Sequence, residues 1–400
     1  MRRFIVTVVF MGLAGYAGFL IGNQKLKIEF VNWRPAVILN KALPAKKEVD
    51  FANFWLVWDK VAATYVDKSA LDPQKMIDGA VVGMVAAIGD PYTVYLPFKE
   101  NKASKEDLGG AFEGVGLQLG FKDNRLAVIT PLEGTPAMKA GVKSGDLIVR
   151  IKDDKKGVDR STEGITLPEA VELIRGAKGT KVELTLMRDE AKDFIKVNLT
   201  RDTIVVKSVT IEWKDKIALI KLNRFGDRTQ EEWAEAIDKI TADTKGIVLD
   251  LRNNPGGYLD GSVYLSGEFL PAGKLVVTQR YGDGEQIENK VARNGRLLQT
   301  PLVVLINEGS ASAAEIMAGA LQDWRRAKIV GVKSFGKGSV QQPEDLPGGA
   351  GLHVTVAKWL RPSGEWIDKI GITPDVEIKI PEDASNSADD IQLNKALEMF

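Results

Sequence analysis

Apolar residues recur along this chain with two different periods, and the switch between them marks its organisation. From Asp50 to Gly89 the spacing is helical, with Phe54, Val57, Trp58, Val61 and Tyr65 three or four residues apart. Asp72 before Pro73 reads as an N-cap and a first helical residue, opening a second helix through Ile77, Ala80, Val81, Met84 and Ile88. Both stripes are expected to be core. Beyond Gly109 the pattern shortens to strand-length runs at Val115–Leu119, Leu126–Thr130, Asp146–Ile151, Lys181–Met187 and Phe194–Leu199. Helical pieces at Thr135–Ala140 and Leu167–Arg175 interrupt them. From Ile204 apolar strands at 216–222, 246–252, 301–306 and 327–332 alternate with helices at 230–240 and 315–324. The run PLVVLI is wholly apolar, as a strand buried on both faces is. Such alternation predicts an α/β protein with a mostly parallel sheet flanked by helices, a β-rich insert and a helical N-terminal part.

The first 25 residues follow neither period. Arg2 and Arg3 precede an uncharged run of 18 residues, Phe4 to Ile21. At about 1.5 Å per residue this run just spans a hydrocarbon core of ~30 Å. It reads as a membrane anchor or a secretory signal, with a buried core helix as the plain alternative. No clear cleavage site follows, which favours the anchor. The leading arginines favour a cytoplasmic start, so the remainder is expected outside the cytoplasm, on the outer face of the membrane or in a periplasm. The expected divisions are 1–24 anchor or signal, 25–48 linker, 49–108 helical region, 109–203 β-rich domain, 204–380 α/β core and 381–400 tail.

Composition narrows the chemistry. Lys+Arg and Asp+Glu are both 54, so no global field points to nucleic acid. There is no cysteine, which removes thiol catalysis and disulfides. The single histidine, His353, rules out a multi-histidine metal centre and leaves one imidazole for any Ser-His-Asp triad. It sits in an alternating strand, away from any turn motif.

The stretch GVKSFGKGSVQ, 331–341, comes close to a phosphate loop but has Gly338 where the magnesium-holding hydroxyl belongs. Prolines and glycines follow, so no helix offers its amides to a phosphate. Lys337 therefore needs another role. Upstream, PLVVLINEGSASAAEIMAGALQDW places a serine where a buried strand turns into a helix. Ser312 there reads either as an N-cap or as a nucleophile backed by helix amides. Lysine serves as the base for such a serine when burial keeps it neutral. DLRNNPGG, 250–257, adds a turn able to point amides inward.

Together, DLRNNPGG, NEGSASAAEIMAGALQD and GVKSFGKGSVQ resemble the carboxyl-terminal processing proteases, tail-specific serine proteases with a Ser-Lys dyad. IDGAVVGMVAAIGDPYTVYL ahead of them resembles the same family. So do GVGL, TPAMKAGVKSGDLIVRI, LPEAVELIRGAKGT and VELTLMR, which look like a PDZ domain, and the later WLRPSGEWIDKIGITPDV. The likeness runs from about residue 50 to the C-terminus. It implies Ser312 as nucleophile, Lys337 as general base and Gln341 as its orienting neighbour. The oxyanion hole would come from the amides of Ala313 and of Gly256 or Gly257, and no cofactor is implied. It also implies that the PDZ-like loop Gly114, Val115, Gly116, Leu117 holds the carboxylate of protein substrates with free, apolar C-termini, and that this domain can gate the protease. Ser310 is the competing nucleophile. The charged insert at 153–165 departs from the expected pattern. An idle peptide-binding scaffold and a triad esterase using His353 stand as rival readings, and an oligomer stays open.

Overall fold

The computed structural model describes residues 26–31, 34–39, 50–132, 134–188, 194–379 and 390–400. The expected anchor or signal at 1–24 lies outside these residues. Among the described residues no helix is long and apolar enough to cross a membrane. The chain divides into two compact units, Met1–Ile77 and Asp78–Phe400.

In the first unit, the stretch expected as a linker contains an antiparallel hairpin of β1 (Leu26–Val31) and β2 (Arg34–Leu39). Helix α1 (Ala52–Thr64) follows. Its apolar stripe was expected to be core, but none of its residues is buried. Phe51, Phe54, Trp55 and Trp58 instead pack on one another edge-on or stacked along the helix. Helical periodicity reports an apolar face, and that face needs a partner before it becomes core. Helix α2 (Pro73–Ala86) starts as its sequence predicts, with Asp72 Oδ1 accepting from the amides of Gln74 and Lys75.

Helix α2 runs on into the second unit, where β3 (Val94–Leu96) and helix α3 (Phe98–Gly109), closed by Gly110 at φ 64°, follow. A β-rich domain comes next: β4 (Ala111–Gly114), β5 (Leu117–Lys122), β6 (Arg125–Pro131), helix α4 (Pro136–Lys139), β7 (Leu147–Asp153), β8 (Val158–Ser161), helix α5 (Leu167–Ile174), β9 (Lys181–Met187) and β10 (Ile195–Thr200). The strands form one antiparallel sheet in the order β10-β9-β7-β6-β5, with β8 on β7 and β5 at an open edge. The run predicted as one strand over 115–119 is broken at Gly116, whose φ of 77° is incompatible with a strand. A Cβ there would lie 2.3 Å from Thr135, so the loop accepts no other residue. The charged insert has a structural purpose. Asp153 forms a buried ion pair with Arg201, 2.7 Å apart. Lys156 Nζ donates to the carbonyls of Glu172, Leu173 and Arg175, closing the C-terminal end of α5.

Strand β11 (Asp202–Val205) returns to pair with β4, and the α/β core follows. Its elements are β12 (Val209–Lys214), β13 (Ile217–Leu222), α6 (Thr229–Ile237), β14 (Gly246–Asp250), α7 (Leu259–Ser266), β15 (Leu275–Tyr281), β16 (Gln286–Lys290), β17 (Leu302–Ile306), α8 (Ala313–Asp323), β18 (Lys328–Gly331), β19 (Ser339–Asp345), β20 (Gly351–Leu360) and β21 (Val376–Glu377). The main sheet runs β12-β13-β14-β17-β18-β21 and is parallel except at β12. Every residue of β14 and β17 is buried, as their unbroken apolar runs require. A second, antiparallel sheet, β16-β15-β20-β19, carries β3 on β20. The expected tail contains a helix, α9 (Ile391–Leu397), capped by Asp390 and burying Ala396 beside Val303 and Leu305. Arg252 joins Asp250, at the end of β14, to Asp390.

Candidate active site

Ser312 stands between β17 and α8 with φ 53° and ψ −116°, a region that costs a non-glycine residue conformational energy. Gly256 makes the turn possible from the other side, because a Cβ there would lie 2.8 Å from Ser312 Cβ. Ser310, the competing nucleophile, is fully buried and committed: its Oγ donates to Leu251 O at 2.8 Å and accepts from Asn307 N at 3.0 Å.

Glu315, one turn into α8, organises both halves of the site. Its carboxylate accepts from the amides of Ser312 (2.8 Å), Gly336 (2.6 Å) and Lys337 (2.9 Å) and from Ser334 Oγ (2.6 Å). Burial pushes its pKa up, against the donors that favour the charged form. The serine turn and the lysine loop are thus tied through one carboxylate. The loop is also held by two indoles, Trp359 donating to Lys337 O at 2.7 Å and Trp366 to Gly338 O at 2.8 Å. No motif reading identified Glu315, although Ser-x-x-Glu at a helix start is a capping-box spacing.

Ser312, Lys337, Gln341 and Gly257 line one cleft of about 430 Å³, with Leu259, Ile316 and Trp359 as its apolar wall. Desolvation lowers the Lys337 pKa from its ordinary value, with Asp90 and Glu315 acting against it. Among the described residues Lys337 Nζ makes no hydrogen bond, and it lies 4.9 Å from the ring centroid of Tyr92. Gln341 does not reach the lysine; its Nε2 donates to Ser339 Oγ and Thr355 Oγ1. His353 also lines the cleft, which its alternating strand did not reveal, and its pKa is lowered by burial and then by Lys337.

Two glycines were left open as amide donors. The Gly256 amide is committed to Asn254 Oδ1 at 2.9 Å, whereas Gly257 faces the cleft. Gly257 cannot be replaced either, since a Cβ would lie 2.1 Å from Phe225 O. Ala313 is buried at the first position of α8. The loop Gly114–Leu117 belongs to the β-rich domain, where Val115 O accepts from Ala137 N and Gly116 O from Leu132 N. Helix α3 joins the two regions, with Lys105 2.6 Å from Asp345 at the cleft rim.

Residues 216–378 match Peptidase family S41, and 102–187 match the PDZ domain. A carboxy-terminal processing protease CtpA of Bacillus subtilis is 36% identical over 381 residues, covering 95% of this chain and 77% of that protein. The chain belongs to the carboxy-terminal processing serine proteases. A carboxy-terminal-processing protease of Bartonella bacilliformis is similar at 37% identity, covering 94% of this chain and 86% of that one. Residues 16–99 match the N-terminal domain of the activating protease CtpB. The solved structure of a putative S41 protease from Bacteroides fragilis shares the fold, with a TM-score of 0.55 at 16% identity, covering 90% of this chain and 98% of that one. As a member of this family the chain is a serine-type C-terminal processing peptidase with a PDZ domain, which sets aside the idle scaffold and the esterase.

Proposed function

We propose that this protease cuts with a Ser312–Lys337 dyad. The observation that carries the reading is Glu315, which binds the Ser312 and Lys337 amides to one carboxylate and so fixes the two elements against each other. The burial that lowers the Lys337 pKa favours the neutral amine that would take the Ser312 proton as Oγ attacks a peptide carbonyl. The amides of Gly257 and Ala313 stabilise the oxyanion. Gln341 acts on the lysine only indirectly, through Ser339 and Thr355.

The PDZ domain takes the substrate's C-terminus. A peptide extends the sheet at the open edge of β5 against α5, and amides of the Gly114–Leu117 loop hold its carboxylate. The apolar wall of the cleft favours apolar residues near the cut. The N-terminal apolar run behind Arg2 and Arg3 supports action outside the cytoplasm from a membrane anchor. The test is cleavage of one unfolded protein with different tails, the cut sites read by mass spectrometry, with each substrate also prepared as the C-terminal amide. Ser312→Ala and Lys337→Ala are expected to lose about 10⁴-fold in rate while staying folded. Amidation is expected to weaken binding about ten- to a hundredfold, from the loss of a charge-assisted hydrogen bond. Full activity in either variant contradicts the dyad, and equal binding of acid and amide contradicts carboxylate recognition.

A further inference from the structure

The segment Asp90-Pro91-Tyr92-Thr93 lies outside the stretch matched by Peptidase family S41, yet it forms one side of the lysine's surroundings. Asp90 folds it into a tight turn, its Oδ1 accepting from Tyr92 N at 3.1 Å and its Oδ2 from Thr93 Oγ1 at 2.6 Å. Pro91 fixes the backbone between them. Thr93 is buried, and its Oγ1 accepts from Thr355 N at 3.0 Å, which docks the turn on β20. Thr355 Oγ1 in turn accepts from Gln341 Nε2 at 3.0 Å. The turn, β20 and Gln341 are one connected frame, and the Tyr92 ring it carries faces the Lys337 ammonium at 4.9 Å.

We infer that Tyr92 is a positioning residue of the reaction: its ring face is the resting seat of the Lys337 ammonium, held in place by Asp90 and Thr93. This rests on the dyad reading. The ring quadrupole attracts a cation within about 6 Å and has no comparable hold on a neutral amine. A charged Lys337 is therefore kept on the ring and away from Ser312 Oγ. Once the ammonium loses its proton the attraction falls away, and the free amine can accept the Ser312 hydroxyl proton. The charged and titratable groups facing the pair are Asp90 from the turn, Glu315 from α8, His353 from β20 and Asp368 near Tyr92. Asp90 and Glu315 favour the ammonium as the ring does, and burial opposes all three.

The sign follows. Lys337 works as a base only when neutral, so whatever holds its charged form moves the acid limb of the rate profile to higher pH. Removing the ring face moves that limb to lower pH, by about one pH unit for a partly buried cation–π contact. The experiment follows the rate of Ser312 labelling by a fluorophosphonate against pH in the full-length chain, with the adduct located by mass spectrometry. Tyr92→Leu and Tyr92→Met remove the ring, Met filling most of the volume. Tyr92→Phe keeps it. Circular dichroism establishes that each variant is folded. The limb is expected to move down in the Leu and Met variants and to stay at the wild-type position in Phe. Coincident limbs in all four proteins overturn the inference, and so does a drop in rate at every pH without displacement, which is what a purely structural tyrosine gives. An adduct that forms elsewhere than Ser312 in the wild type overturns the dyad reading instead.

Discussion

At the residue scale the site depends on a few groups whose surroundings oppose their ordinary behaviour. Lys337 is an amine placed where burial disfavours charge, and Glu315 is a carboxyl whose pKa burial raises while four donors to its oxygens act the other way. Glu315→Gln replaces an acceptor oxygen by an NH₂ that must face donors. We expect it to lower stability by about 2–4 kcal/mol and activity by at least a hundredfold, measured by denaturant unfolding and peptide hydrolysis. With Lys337 as the proposed base, which acts only when neutral, kcat/KM is expected to rise with pH through a limb below the ordinary lysine value of about 10.4. A profile flat from pH 6 to 10 contradicts a lysine base. His353 lies in the same cleft, and burial and then the neighbouring lysine lower its pKa. His353→Ala is expected to stay within about tenfold of wild type, whereas a triad histidine costs on the order of 10³-fold or more. Ser312 and Lys337 were legible in the sequence because strand-turn-helix and Gly-Lys-Gly patterns are local. Tyr92 and Glu315 were not singled out, because their importance comes from contacts 245 and 22 residues away along the chain, to Lys337.

At the element scale the periodicity identified β13, β14, β17 and β18 of the main sheet to within a residue or two but not β21; β14 and β17, buried throughout, are continuous apolar runs. It misplaced β5, because Gly116 breaks the run in a way that only the close approach of Thr135 explains. It also read α1 as core, because a spacing pattern says that a face is apolar and not what covers it. The charged insert stood out in the sequence only as a departure from the expected pattern; in the structure its Lys156 closes the end of α5 through three carbonyls. Lys156→Met keeps the stem and removes those donors. It is expected to destabilise the PDZ domain by roughly 1 kcal/mol and to weaken binding of a C-terminal peptide several-fold, measured by thermal unfolding and calorimetry. An unchanged peptide affinity contradicts a role for the insert in shaping the α5 groove.

At the scale of the whole molecule, an all-antiparallel PDZ sheet and a mostly parallel protease sheet are joined by α3, whose Lys105 reaches Asp345 beside the cleft. The order of domains was legible because each has its own period and its own motifs. The second sheet, β16-β15-β20-β19, was not, because the pairing that unites its two hairpins, β15 with β20, links segments far apart in sequence. That sheet carries Gln341, His353 and Trp359 to the cleft, so the parallel sheet alone does not make the site. Ser312 at the start of α8 and Lys337 on the loop after β18 are proposed to act as a single nucleophile-base pair. The most direct measurement treats the full-length protein and its Lys337→Ala variant with a fluorophosphonate near the top of the pH profile and quantifies the adduct on each peptide. Modification of Ser312 is expected in the wild type, and labelling slower by about 10³-fold or more in the folded variant. Modification of Ser310, or equal labelling of Ser312 with and without Lys337, would contradict it.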